Sequence, residues 1–247
     1  MTDEKQQTFT VALPSLEEML KCGVHFGHQT SKRHPKMAPF IFTKRNGIHV
    51  IDLEKSHAKL QEALDFVYQI AYNGGVILFV GSKKQARENV KANAIRCGMP
   101  YVVDRWIGGI FTNFDNVGRL IKKLDQLEAD EASGAWEKYK KSEQVRFKKE
   151  QQKLLSFVGG IRTISKLPKA LFVVDIKKEK TAVAEANKKN IAIIAMTDTN
   201  VNPDLVQYPI PANDDAASSI SLMATIVADV ILEAKAAAAA SAVVTQK

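Results

Sequence analysis

The sequence is short of cysteine: it has two, Cys22 and Cys97, and neither sits in a CxxC pair. That argues against a disulfide-stapled secreted framework and fits the reducing cytoplasm. Aromatic residues make up 7%, so a packed core has to come from Ile, Val, Leu and Ala. The opening stretch MTDEKQQTFT has no basic n-region and no apolar h-region, and so does not read as a signal peptide. Asp3 and Glu4 argue against an organellar transit peptide. No run approaches the ~20 consecutive apolar residues of a membrane span, so no membrane is expected. GxGxxG, GxxxxGK(S/T), GxSxG and HExxH are all missing, which weakens the case for a nucleotide-binding or hydrolytic enzyme. No helix-turn-helix or other DNA-reading module is visible, and DNA is not an expected partner.

The most informative absence is local. From Met19 to Ile51 there is no Asp or Glu. The same stretch holds Lys21, Lys32, Arg33, Lys36, Lys44 and Arg45, a net of +6, together with His25, His28, His34 and His49. A second basic stretch, residues 138–153, sets seven Lys or Arg against Glu143 and Glu150, a net of +5. The whole chain carries +8, so the remaining residues sum to −3. Basicity focused in two patches is the footprint of a phosphate-binding surface, although a Lys-rich helix is as often simply a solvated face.

Residues 1–14 read as a loose polar arm. Ser15, with Glu18 three residues on, makes a capping box for a short helix to Lys21. Residues 39–53 alternate in polarity around Asn46-Gly47, the signature of a type I′ turn, so a basic β-hairpin with Lys44 and Arg45 at its tip is expected. A helix from about Glu54 to Asn73 leads into a βαβ rhythm. Its strands are 76–80, 101–103, 170–174, 191–196 and 208–210, the first fully apolar as buried parallel strands are. The last helix is expected from about Asp214 to Ala236. About 65 residues separate the second and third strands of the series. They read as two long helices, roughly 112–130 and 135–157, forming an antiparallel hairpin. Its second arm is too polar to be buried, so it should protrude by roughly 30 Å. This gives an α/β domain from 15–111 and 158–233, a helical hairpin from 112–157, and an Ala-rich tail, 234–247, that should fray.

Three constellations carry chemistry. Gly81-Ser82-Lys83-Lys84 lies where a strand meets a helix; it is most simply a turn, but Lys83 and Lys84 beside a helix N-terminus suit a phosphate. Cys22, His25, His28 and His34 lack zinc-site spacing, and a tight loop around Gly23 and Gly27 explains them better. Asp198, Asp204, Asp214 and Asp215 follow the fourth and fifth strands of the series, at the carboxyl edge of a parallel sheet, where ligands gather. Such carboxylates need a basic partner or a divalent cation, unless Asp214 or Asp215 simply caps the last helix. Trp106, beside Gly108-Gly109, is expected to be a structural anchor.

Several stretches together resemble one family. They are Gly23 to Thr30 with Pro35 to Phe42, Asn46 to Lys55, Ile77 to Lys84, Arg105 to Asn113, Gly159 to Ile161, Leu167 to Asp175, Thr197 to Asn200 and Pro211 to Ala216. In this order they resemble the second-numbered protein of the small ribosomal subunit, in its bacterial form. Ala212 departs from that pattern, where Gly is frequent. The resemblance implies a flavodoxin-like parallel sheet flanked by helices, with a protruding hairpin. It also implies a structural role without catalysis. The expected partners are small-subunit ribosomal RNA, neighbouring ribosomal proteins, and the OB-repeat protein that captures messenger RNA in bacteria. On this reading the RNA-facing candidates are Lys21, His25, His28, Lys32, Arg33, Lys36, Lys44, Arg45, Lys83, Lys84 and Arg105. Asp198, Asp214 and Asp215 are candidates for a protein partner, with or without a divalent cation; no cofactor is required. The alternative is a nucleotide- or sugar-binding α/β enzyme.

Overall fold

The structure, a computed structural model, describes residues 9–245. Helix α1 (Leu16–Lys21) begins with the capping box: Ser15 Oγ accepts from Glu18 N at 3.2 Å, and Glu18 accepts from Ser15 N at 2.8 Å. Strands β1 (Phe26–Gln29), β2 (Ile41–Arg45) and β3 (Ile48–Ile51) form an antiparallel sheet in the order β1-β3-β2. Asn46 and Gly47 reverse the chain between β2 and β3 with φ of 50° and 75°. The tight loop expected around Gly23 and Gly27 holds as a turn over residues 22–25, with Gly23 at a φ of 72°. Gly27 instead lies in β1, which pairs the edge of β3 that a two-stranded hairpin would leave open.

Residues 10–11 are not loose. Thr10 N and Val11 N donate to the Glu233 carboxylate at 2.7 and 2.9 Å, and Phe9, Val11 and Leu13 pack on the core. The rest of the expected arm, residues 1–8, lies outside the described residues.

The main layer follows as α2 (Leu53–Tyr72), β4 (Ile77–Val80), α3 (Arg87–Arg96), β5 (Tyr101–Val102), α4 (Phe114–Ala132), α5 (Lys141–Val158), β6 (Ala170–Val174), α6 (Lys180–Lys188), β7 (Ala192–Thr197), β8 (Tyr208–Pro211) and α7 (Ala217–Thr245). The five strands are parallel throughout, in the order β5-β4-β6-β7-β8. Counted along the chain that is second, first, third, fourth, fifth, the flavodoxin-like arrangement. Every residue of β4 and β6 is buried, because helices cover both faces. Ile77, Phe79 and Phe172 face a core shared with α2, α3 and α7; Leu78, Val80 and Leu171 face one shared with α6 and the bases of α4 and α5.

Helix α7 corrects one expectation. The Ala-rich stretch, helical by propensity, continues the helix to Thr245, and the Tyr72 hydroxyl lies 3.0 Å from that of Ser241. Residues Ala217–Ser241 are also long and apolar enough to cross a membrane by length and composition, which the search for unbroken apolar runs missed. The structure gives that apolarity another use: Ile220, Met223, Val227, Val230 and Ile231 are fully buried against the sheet.

Helices α4 and α5 run antiparallel. Lys148 and Gln151 both reach Glu131 at 2.7 Å, and Lys123 pairs with Glu150. Val117, Leu124, Leu154 and Val158 seal the end nearest the sheet. At the other end Phe147 packs against Trp136 and Tyr139, with ring centroids 5.7 and 5.3 Å away.

Candidate functional site

The carboxyl edge of the parallel sheet gathers charge. The loops after β6, β7 and β8 bring Asp175, Asp198, Asp214 and Asp215 together, and the loop after β4 puts Lys83 among them. Lys83 Nζ lies 2.6 Å from Asp215, 2.7 Å from Asp214 and 3.4 Å from Asp175. From the small sheet, β1 contributes His28, whose Nδ1 is 2.9 Å from Asp198 Oδ2 and whose Nε2 is 3.5 Å from Asp215. Asp198 Oδ1 accepts from Thr199 Oγ1 at 3.1 Å, while Oδ2 is buried without a well-aligned hydrogen bond.

The electrostatics follow from this crowding. Burial, reinforced by the charges of Asp175 and Asp198, pushes the Asp214 carboxyl up to about 7. Burial opposes the charge on Lys83, but Asp214, Asp215 and Asp175 outweigh it and raise its pKa. The hydrogen bond to Asp198 raises that of His28 above its ordinary value, against the cost of burial. Among the described residues, the group of His, Cys, Asp and Glu close enough to hold a metal ion is His28, Asp198, Asp214 and Asp215, with ligand atoms within 4.8 Å of one another. Cys22, His25 and His34 do not join it.

This corrects the expected partner surface. Asp198 and Asp214 are each 1% exposed, so neither can touch a partner directly; Asp215 alone of the three turns outward. Nor do Asp214 and Asp215 cap α7 with their side chains. Asn213 Oδ1 accepts from the N–H groups of Asp215 and Ala216 at 2.9 and 3.2 Å.

The basic candidates divide in the same way. Lys83 and His28 are spent inside the carboxylate cluster. Lys36 pairs with Asp204, and Lys21 with Glu17 at 2.6 Å. His25 packs against Phe26, with ring centroids 4.0 Å apart, and its Nδ1 is buried without a partner. Lys32, Arg33, Lys44, Arg45, Lys84 and Arg105 are exposed and make no ion pair among the described residues.

Two features escaped the sequence reading. One is an exposed apolar patch on the small sheet and α1: Phe42 is 75% exposed, and Phe26, Leu20 and Leu16 are also exposed. A groove of about 330 Å³ is lined by Leu20, His25, Phe42 and Val50, with Asp52 and Glu54 beside them. An exposed Phe in a strand that alternates correctly was the available signal, since that residue faces away from any core. The other is the state of the crevice where the strand order reverses, between β4 and β6. Ser82 N donates to Glu179 at 2.9 Å, and Ser82 O accepts from Lys178 Nζ at 3.0 Å and Arg87 Nε at 3.1 Å. The Ser82 N–H, which in a fold of this type could face a nucleotide phosphate, is therefore taken by Glu179.

The basic arm and the apolar patch thus lie on the outside of the fold, while Lys83 and His28 are held inside the carboxylate cluster. The family model for ribosomal protein S2 matches residues 19–234, so the chain belongs to the ribosomal protein S2 family, a structural component of the small ribosomal subunit.

Proposed function

We propose that the chain binds small-subunit ribosomal RNA through its basic arm, as a cytoplasmic, ribosome-bound protein of the bacterial type. The observation that carries this reading is that Lys32, Arg33, Lys44 and Arg45 stand exposed, with no ion pair among the described residues, in a stretch without a single acidic residue. Cations with no internal partner retain their full charge for phosphate. The apolar groove beside Phe42, lined also by Asp52 and Glu54, suits a protein partner with apolar and basic side chains, and the exposed Asp215 is a separate candidate contact. The candidate is the OB-repeat protein that captures messenger RNA. A divalent cation fits His28, Asp198, Asp214 and Asp215, whose ligand atoms lie within 4.8 Å of one another. It would draw His28 and the aspartates together and expose positive charge toward a partner. Lys83 already balances much of that charge, so the fold does not need the ion. An enzyme acting on a nucleotide or sugar is the weaker reading, because Ser82 N in the crevice is already bonded to Glu179.

The test is binding of the full chain to purified small-subunit RNA as salt is varied. Neutralisation of about four to six phosphates gives a log–log slope of roughly −3 to −5. A slope near zero would sink the RNA reading.

A further inference from the structure

The carboxyl edge of the parallel sheet is divided by sign. Beyond β7 and β8 lie Asp198, Asp214 and Asp215, and Asp175 after β6 is turned toward them by Lys83. On the opposite half, around the ends of β4, β5 and β6, every loop presents cations: Lys84 and Arg87 after β4, Arg105 after β5, and Lys177, Lys178 and Lys180 after β6, all exposed. Of the six, only Arg87 makes an ion pair among the described residues, with Asp104 at 3.3 Å.

The loops are held close together. Gly81 N donates to Val102 O at 3.0 Å, which ties the β4 loop to the β5 loop. Arg87 and Lys178 converge on one acceptor, Ser82 O. Two cations drawn onto a single neutral carbonyl repel each other, and that arrangement suits a shared external anion. The neighbouring acids do not supply it. Glu179 is buried on Ser82 N, Asp175 faces Lys83, and Asp104 is one charge against six. Arg105 is carried on a loop whose backbone is pinned by Glu185, which accepts from Gly109 N, Phe111 N and Thr112 N at 2.7, 3.0 and 3.2 Å.

We infer that this basic half of the sheet edge is a second RNA-contact surface, gripping the phosphate backbone separately from the arm. The inference rests on the RNA-binding reading and extends it to residues outside the arm. The occupant is an extended polyanion. The cations come from three loops across the rim, and in the crevice between them, where a mononucleotide would sit, Ser82 N is already bonded to Glu179. Lys83 is not part of the surface, since its charge is turned inward.

The test compares salt slopes of the full chain on purified small-subunit RNA. The first variant is Lys84→Gln with Lys177→Gln and Lys180→Gln; none of these side chains makes an ion pair among the described residues. At about 0.9 in slope per phosphate, the magnitude should fall by roughly 2–3 with an unchanged melting temperature. A second variant on a different loop, Arg105→Gln, should lower it by roughly 1. The control is the arm variant Lys44→Gln with Arg45→Gln. If the control flattens the slope while both rim variants match the parent protein, the rim inference is overturned and the arm reading stands. If the parent protein itself shows no salt-dependent binding, the RNA reading falls and this inference with it. Displacement of RNA from the parent protein by a mononucleotide at matched ionic strength would also overturn it, because the anion would then be a small ligand.

Discussion

The indole Nε1–H of Trp106 donates to Glu185 at 3.2 Å, and four more donors from the same loop converge on that carboxylate: Gly109 N, Phe111 N, Thr112 N and Thr112 Oγ1. Glu185 lies on α6 and is buried. Burial alone would raise its pKa, but the N–H groups of Gly109 and Phe111 and the Trp106 indole more than compensate, and hold it below the usual carboxylate range. Its stabilising contribution is thus present above that range and is lost as pH falls through the lowered pKa. One side chain fixes the whole run from Trp106 to Thr112.

Glu185→Ala strands these donors away from water. The expected cost is about 3 kcal/mol, a drop in melting temperature of roughly 6–12 °C for a chain of this size. Trp106→Ala, which also empties the volume against Phe111, should cost about 3–5 kcal/mol. The two losses should fall short of additive, because each variant already releases the loop. An unchanged melting temperature for Trp106→Ala would refute the anchoring role, and weaker RNA binding at unchanged stability would instead point to base stacking.

How much of this was legible in the sequence depended on distance along the chain. The strands of the parallel sheet were readable because β4 and β6 are unbroken apolar runs, and the β2–β3 turn because Asn46-Gly47 states its own dihedral angles. Strand β1 was hidden: Phe26-Gly27-His28-Gln29 is short and contains a Gly whose smallness serves a contact elsewhere, since a Cβ there would come within 2.6 Å of Thr199. Asp198, Asp214 and Asp215 were recognisable as a group from their places after β7 and β8. That His28 and Lys83 complete it was not, because both arrive from far upstream. Nothing local marks Glu185 as the acceptor of a loop more than seventy residues away.

His49 supplies a pH prediction. Its side chain is 7% exposed, and both ring nitrogens are buried without partners. Burial first, then the charges of Arg33 and Lys44, lower its pKa. The unfolded chain therefore takes up a proton at a higher pH than the folded one. The stability linked to this group is full above about 6.5 and is lost as pH falls below it. His49→Leu removes that slope, so the variant should gain melting temperature relative to the parent at pH 5.5 by more than it does at pH 8. Parallel shifts at both pH values would show that His49 is not charged on unfolding.

Lys83 neutralises carboxylates that cannot leave. Lys83→Met should cost about 3–5 kcal/mol, the usual penalty for stranding buried charge. Asp214 has a folded pKa raised to about 7, so its contribution to stability is present below the ordinary carboxylate value and lost as pH rises through 7. Without Lys83 that loss deepens. The variant should be worst near pH 8 and recover toward pH 5.5. Adding Asp214→Asn to Lys83→Met should restore part of the loss, measured as the shift in denaturant midpoint. Full additivity of the two substitutions would disprove the coupling.

The partner-docking proposal rests on what the fold leaves outside. Asp198 and Asp214 are sealed, so substituting them tests stability before it tests docking. Asp215 and Phe42 are exposed, and Lys83 keeps Asp214 and Asp175 as partners when Asp215 is neutralised. Asp215 keeps its charge easily: burial opposes ionisation, but Lys83 and then His28 hold its pKa below the usual value. A basic residue on a partner would thus meet a fully ionised carboxylate. Phe42, 75% exposed among the described residues, offers apolar area that a partner could remove from water at about 25 cal/mol per Å². Asp215→Asn and Phe42→Ala should each leave the melting temperature within about 1 °C and allow normal incorporation into small subunits. Retention of the OB-repeat protein on those purified subunits should fall, more for Phe42→Ala in high salt, where the charge is screened and the apolar contact is not. Normal retention with both substitutions combined would mean that neither Asp215 nor Phe42 marks where the partner docks. Lost incorporation, with retention intact on the subunits that do assemble, would mean that these residues face RNA, against the repulsion between carboxylate and phosphate that excludes it here.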